Sequence, residues 1–192
     1  VGWIGYDAVR SFENLPNVAK DDLELPELCM VLTDTLVIFD NLRQSIKVVA
    51  TPYVPRAERA NDAYDGAMRR IDAIVETLRT APAKLRELQP PSPTEGGSAE
   101  LRYGGMAEPK DCFPKQEFLA GVARIKEYIL AGDIFQAVLS RRFEVPRNEV
   151  EPFDIYRALR VVNPSPYMFH LQFPEAQVTG ASPETLVRCD EG

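Results

Sequence analysis

Three stretches of the chain hold residue types that carry chemistry. Gly180-Ala181-Ser182-Pro183-Glu184 sets a carboxylate just after a turn, among small residues that admit a ligand closely. Partial burial there would raise the pKa of Glu184 and suit it to general-acid work. An ordinary Ser-x-Glu turn beside a proline is the competing reading. Gln136 is a neutral amide in an otherwise apolar run; if buried, it needs partners from backbone or from a bound molecule. Asn163-Pro164-Ser165-Pro166-Tyr167-Met168-Phe169 has two prolines two residues apart, which fix φ twice and remove two backbone donors. Such a backbone cannot enter a central ladder, so its carbonyls are left for a ligand or water, and Tyr and Met offer a binding edge. The entry turn of an edge strand would carry the same signature. His170, the sole histidine, lies among Met168, Phe169, Leu171 and Phe173 and reads as a hydrogen-bonded structural residue. The sequence contains no P-loop, no G-x-G-x-x-G, no G-x-S-x-G and no His or Cys set at metal-ligand spacing.

The elements that must position these residues follow from periodicity. Phe118, Val122, Ile125 and Ile129 recur at helical spacing and predict an amphipathic helix with a buried stripe, stopped by Gly132. Beyond it, Ile134 to Phe143 reads as a strand. Phe135, Ala137, Leu139, Phe143 and Val145 fall on a face that packs, and Gln136, Ser140 and Arg142 on a face that lines a site. Pro152 to Val162 reads as a short helix that ends before Asn163-Pro164. Tyr167 to Phe173, Gln177 to Gly180 and Thr185 to Cys189 read as strands.

Nearer the start, Val1 to Tyr6 reads as a strand or glycine-rich turn, Asp7 to Phe12 as a helical turn, and Asp21 to Glu27 as a loop. Met30 to Phe39, the turn signal Asp40-Asn41 and Ser45 to Val49 predict an antiparallel hairpin. Arg56 to Thr80 carries Tyr64, Met68, Ile71, Val75 and Leu78 at helical spacing, and predicts a long helix covering a sheet. Hairpins and helices are segregated rather than alternating, which predicts an α+β fold. Three regions are expected: 1–88, a Pro/Gly/Ser-rich disordered linker over 89–112, and 113–192.

The 192 residues, 45% of them hydrophobic, suffice for a sizeable core. A formal charge of -7 argues against a nucleic-acid or anionic-membrane surface. Three cysteines without C-x-x-C spacing suit a reducing cytoplasm. No apolar run reaches the roughly 20 residues of a membrane span. The sequence opens on Val1 rather than methionine and closes on a turn signal, so a piece of a longer protein is expected.

Three segments taken together closely resemble, in order and spacing, the large subunit (component I) of the anthranilate synthase family of chorismate-utilising enzymes. They are Gly132 to Phe143, Asn163 to Phe169 and Gly180 to Leu186. Gly2 to Arg10, Glu13 to Pro16 and Asp34 to Asn41 look like the end of that subunit's amino-terminal region. The resemblance implies that 1–88 closes a regulatory region and that 113–192 opens a chorismate-binding catalytic region. It also implies a large antiparallel β-sandwich flanked by helices, of which this chain would be a part.

The activity it implies is a Mg²⁺-dependent lyase. Ammonia from a glutamine amidotransferase partner (component II) adds at C2 of chorismate, the C4 hydroxyl leaves, and elimination of pyruvate gives anthranilate. Glu184 would then be the general acid at the departing hydroxyl. Gln136 holds the position where isochorismate and salicylate synthases, similar enzymes, carry a water-activating lysine. An amide takes up no proton near neutral pH, which favours amination over hydration. Asn163-Pro-Ser-Pro-Tyr-Met-Phe resembles the family's tryptophan feedback site, with Pro166, Tyr167 and Met168 touching the effector and Asn163 supporting the loop. The family's Mg²⁺-binding glutamates, catalytic histidine, Gly-Thr-Arg segment and glycine-rich carboxylate loop are expected beyond Gly192, and the Leu-Leu-Glu-Ser part of the tryptophan site before Val1. The chain alone is accordingly expected to be inactive, to bind neither Mg²⁺ nor tryptophan tightly, and to self-associate through unpaired edges. Aminodeoxychorismate synthase component I and a non-catalytic effector-binding module are the alternatives.

Overall fold

A computed structural model of the chain describes residues 1–56, 59–80, 87, 109–148 and 150–190. The fold is α+β, with every described strand in a two-stranded antiparallel sheet. The chain divides into two compact units, one made of 1–87 with 156–192 and the other of 88–155. The linker region expected over 89–112 lies outside the described residues as far as 108, and Lys110–Asp111 within it form a strand.

In the first unit, β1 (Gly2–Ile4) pairs with β2 (Leu28–Met30), and a 3-10 turn spans Tyr6–Ser11 between them. A Cβ on Gly2 would fall 2.0 Å from the Cys29 carbonyl oxygen, so only glycine lets these strands pair this closely. The hairpin expected from the Asp40-Asn41 turn signal is present: β3 (Thr35–Asp40) pairs with β4 (Ser45–Ala50), with Thr35 opposite Ala50 and Asp40 opposite Ser45. Asp40 Oδ1 accepts the Arg43 N–H at 3.0 Å, which closes the turn.

α1 (Ala60–Thr80) packs against β4. Its inward stripe includes Ala63, Ala67, Ile71, Ile74 and Val75: Ile71 and Val75 lie where the sequence spacing placed them, whereas Tyr64, Met68 and Leu78 are exposed. Tyr64 is 62% exposed. Alanines at two successive turns let the helix lie close to the strand, so the larger side chains slide to its flank. β7 (Tyr167–Gln172) and β8 (Gln177–Ser182) form the second hairpin. At its tip Phe173 meets Trp3 edge-on, with ring centroids 4.5 Å apart, and the Trp3 indole N–H donates to the Pro26 carbonyl at 3.1 Å.

In the second unit, α2 (Lys115–Ala131) ends as expected at Gly132, whose φ of 84° is left-handed. The Asp133 N–H donates to the Tyr128 carbonyl and closes the cap. Phe118, Val122 and Ile125 are half-buried, and Ile129 is exposed. Leu139 lies over the helix at Gly121, where a Cβ would come within 3.0 Å of Leu139 Cδ2. β5 (Lys110–Asp111) pairs with β6 (Phe143–Glu144). α3 (Pro152–Val162) matches the predicted short helix.

Three sequence expectations need correction. The stretch Ile134 to Arg142 is not a strand, and Phe135 (92% exposed) and Val138 are exposed rather than packed. Alternation supplies a face, but a strand also needs a ladder. β5 offers only two residues plus the Cys112 N–H, which donates to the Arg142 carbonyl, before the chain turns at Pro114 into α2. Nor is Thr185 to Cys189 a strand. Its partner would be the backbone before Tyr167, where Pro166 has no N–H to give. Finally, the sizeable core is absent: among the described residues only Ala67 and Phe173 are buried, because each sheet has two strands and presents little area to cover.

Candidate functional site

The β7/β8 hairpin places two of the three chemistry-bearing stretches side by side. Tyr167 lies opposite Ser182, Met168 opposite Ala181, Phe169 opposite Gly180 and His170 opposite Thr179. Asn163 to Pro166 and Pro183-Glu184 therefore leave the open end of the same hairpin together. The prolines end the ladder here as their missing donors require, and a side chain takes over. The Ser165 hydroxyl, two residues before Tyr167, donates to the carbonyl of Ser182, the β8 member of the last strand pair. The Ser182 hydroxyl in turn donates to the Glu184 carbonyl at 2.8 Å and accepts the Glu184 N–H at 3.4 Å. This is the local turn that serine favours beside proline.

Glu184 itself is exposed, not partly buried as expected, because the turn carries it past the end of β8. Asn163, Pro166 and Tyr167 are exposed as well, and Met168 is half-buried. Strand alternation sends Tyr167 and Met168 to opposite faces of the hairpin. A ligand on one face would meet one of them by its side chain and the other by main chain.

The small residue at Gly180 has a local use. A Cβ there would lie 2.3 Å from Phe169 Cζ, so the Phe169 ring, not a ligand, fills the space that glycine leaves. His170 behaves as the structural histidine expected: its Nδ1 is hydrogen-bonded to Thr179 Oγ1 at 2.8 Å, and the Tyr156 ring lies 5.9 Å from its own.

Gln136 belongs to the other unit, where it sits exposed in the irregular segment after Gly132. Water can satisfy its amide there. The ordered polar feature of this unit is Arg141, which sequence reading passed over. Its Nε donates to Asp111 Oδ1 at 3.3 Å, its Nη2 pairs with Asp111 Oδ2, and its guanidinium lies 4.6 Å from the centre of the Phe143 ring. The bond from Arg141 holds the Asp111 carboxyl below the usual carboxylate range. Lys110, donating to Glu144 at 2.8 Å, does the same to Glu144. The sign alternation Lys110-Asp111 against Arg141-Arg142 and Glu144 was the available signal, and it needed the antiparallel register to be read.

No grouping of three or more His, Cys, Asp or Glu side chains able to hold a metal ion occurs among the described residues. Asp111 and Glu144 are engaged by basic side chains, and these residues do not amount to a Mg²⁺ site. No helix among the described residues is long and apolar enough to cross a membrane.

The family model described as "chorismate binding enzyme" matches residues 1–192. The chain belongs to that family. Its relatives include the "Anthranilate synthase component 1" of Acetivibrio thermocellus, 40% identical over 193 residues, covering 100% of this chain and 37% of the relative. The protein of the same name from Streptomyces coelicolor is 40% identical, covering 99% of this chain and 35% of the relative. The "Anthranilate synthase alpha subunit 1, chloroplastic" of Oryza sativa is 37% identical, covering 99% and 33%. The chain thus spans about a third of the length of the curated relatives it matches. The family match takes in both units, and so both the hairpin and the Gln136 segment.

Proposed function

We propose that the full-length protein is the chorismate-binding subunit of an anthranilate synthase, acting in tryptophan biosynthesis in the cytoplasm. It takes ammonia from a glutamine amidotransferase partner and converts chorismate to anthranilate and pyruvate. The observation carrying this is the 36–40% identity, over essentially the whole chain, to proteins of that name from bacteria, fission yeast and rice. Glu184 protonates the departing C4 hydroxyl, and its exposure at the hairpin's open end leaves it reachable by a substrate. Gln136 supports amination, since its amide cannot serve as the base that a hydrating enzyme needs. Asn163, Pro166, Tyr167 and Met168 form part of a tryptophan feedback site. No residue of this chain is assigned to the Mg²⁺ that the family uses. The hairpins join a larger antiparallel sandwich in the full-length protein, which supplies the ladder that Ile134 to Arg142 lacks here.

The test is product analysis of the full-length protein with chorismate, ammonia and Mg²⁺. Anthranilate fluorescence, suppressed by tryptophan, is the expected result, and the 192-residue chain on its own is expected to give none. Aminodeoxychorismate as the product would overturn the assignment. Anthranilate formation that Glu184→Gln leaves at full rate would overturn the role of Glu184 alone.

A further inference from the structure

Ser165 sits between two prolines, at the point where the β7/β8 ladder can no longer be continued by main chain. Its hydroxyl, half-buried with the residue, donates to the Ser182 carbonyl. From Ser182 the contacts pass directly to Glu184, whose N–H and carbonyl are both bonded to the Ser182 hydroxyl. The backbone of the carboxylate-bearing residue is therefore tied to Ser182, the last residue of β8, and Ser182 is held both by its ladder partner Tyr167 and by the Ser165 hydroxyl. Among the described residues, no other polar side chain of the loop reaches across. The two prolines hold the loop stiff, so a displacement of it is passed on rather than absorbed.

We propose that Ser165 is a positioning residue for Glu184, and that through it the placement of the Glu184 carboxylate depends on the conformation of the Asn163 to Met168 loop. This rests on the reading of Glu184 as the general acid. A ligand held by the loop would then alter the rate by moving Glu184, without touching the substrate. Ser182 needs no change of partner in this scheme; its carbonyl only has to follow the serine that holds it.

Two measurements test the proposal separately from the activity assignment. In the 192-residue chain, Ser165→Ala should speed hydrogen exchange at the Glu184 amide about tenfold or more, leaving the Phe173 amide at the far tip unchanged, and Ser165→Thr should restore it. In the full-length protein, Ser165→Ala should lower kcat about 10- to 100-fold, the effect of a small misplacement of a reacting group. KM for chorismate should stay within about twofold, and threonine should recover the rate. Unchanged exchange at Glu184 would overturn the link, whatever the enzyme makes. Faster exchange with kcat unchanged would overturn the positioning role. Full kcat in Glu184→Gln would instead remove the general-acid reading and leave the exchange result standing as a test of the contact.

Discussion

Replacing Gly180 with alanine puts a methyl group where the Phe169 ring lies. The built Cβ is 2.3, 2.7 and 2.9 Å from three atoms of that ring, well inside van der Waals contact, so something must move. Gly180 does not have a left-handed φ, so alanine itself fits the backbone. Two responses compete. If the ring stays, overpacking costs about 1–3 kcal/mol. If it swings into solvent, the cost is the burial it gives up. Phe169 is 39% exposed, so roughly three-fifths of a full phenylalanine burial is lost, or about 1–2 kcal/mol. The ring takes the cheaper route, and Gly180→Ala should lose about 1–2 kcal/mol, or about 2–8 °C in Tm for a chain of this size. Phe169→Ala gives up the same contact and should cost about the same. The double variant should therefore cost about what Gly180→Ala costs, and less than Phe169→Ala by the few tenths that alanine gains over glycine in the unfolded chain. Urea denaturation of all four proteins, followed by circular dichroism, measures the cycle. Additive losses of about 2–4 kcal/mol, or a neutral Gly180→Ala, would refute the reasoning.

Phe173→Ala removes a buried ring from Trp3 and should cost about 3 kcal/mol or somewhat more. Because Trp3 is the only tryptophan, its emission should shift to the red, and an unshifted spectrum would contradict the contact. At the β5/β6 pair, Asp111 and Glu144 have folded pKa values below their unfolded ones. The stability they contribute is present above their unfolded values of about 4, and is lost as pH falls through the lowered folded values. Lys110 is raised by the same bond to Glu144, so its contribution holds below its unfolded value and is lost as pH rises through the folded one. Hydrogen-exchange protection at Cys112, corrected for intrinsic rates, should fall on both sides. Asp111→Asn should shrink the acid-side fall and leave the share of Glu144, and an unaltered profile would exclude Asp111 as a source. We also propose that the isolated chain self-associates through apolar side chains such as Phe135, Val138 and Leu186, all more than four-fifths exposed; a monodisperse monomer by light scattering would count against it.

Much of the local structure was legible because it is set by near neighbours in sequence. Gly132 stopped α2, Asp40-Asn41 turned the first hairpin, and Asn163-Pro164 ended α3. The Ile134 to Arg142 segment has the alternation of a strand without being one, because alternation reports which side chains share a face, whereas a strand exists only if another backbone lies alongside. In α1 the apolar residues marked the right side of the helix but not its centre line, since close approach to β4 selected Ala63 and Ala67 over Tyr64 and Met68. At the site, the types of residue were visible and their relations were not. The Ser165 to Ser182 bond and the Phe169 to Gly180 fit both depend on one register, which brings together residues more than ten positions apart.

That register has its own safeguard. A shift of one residue between β7 and β8 would turn every side chain of one strand to the opposite face. Val178, Thr179, Ala181 and Ser182 all carry a Cβ, and Gly180 is the only position on β8 with room for the Phe169 ring. The aromatic ring thus works as a key that fits one notch. It sets which residue of the Asn163 to Met168 stretch faces which residue of the Ser182 to Glu184 turn, although neither Phe169 nor Gly180 belongs to those two segments.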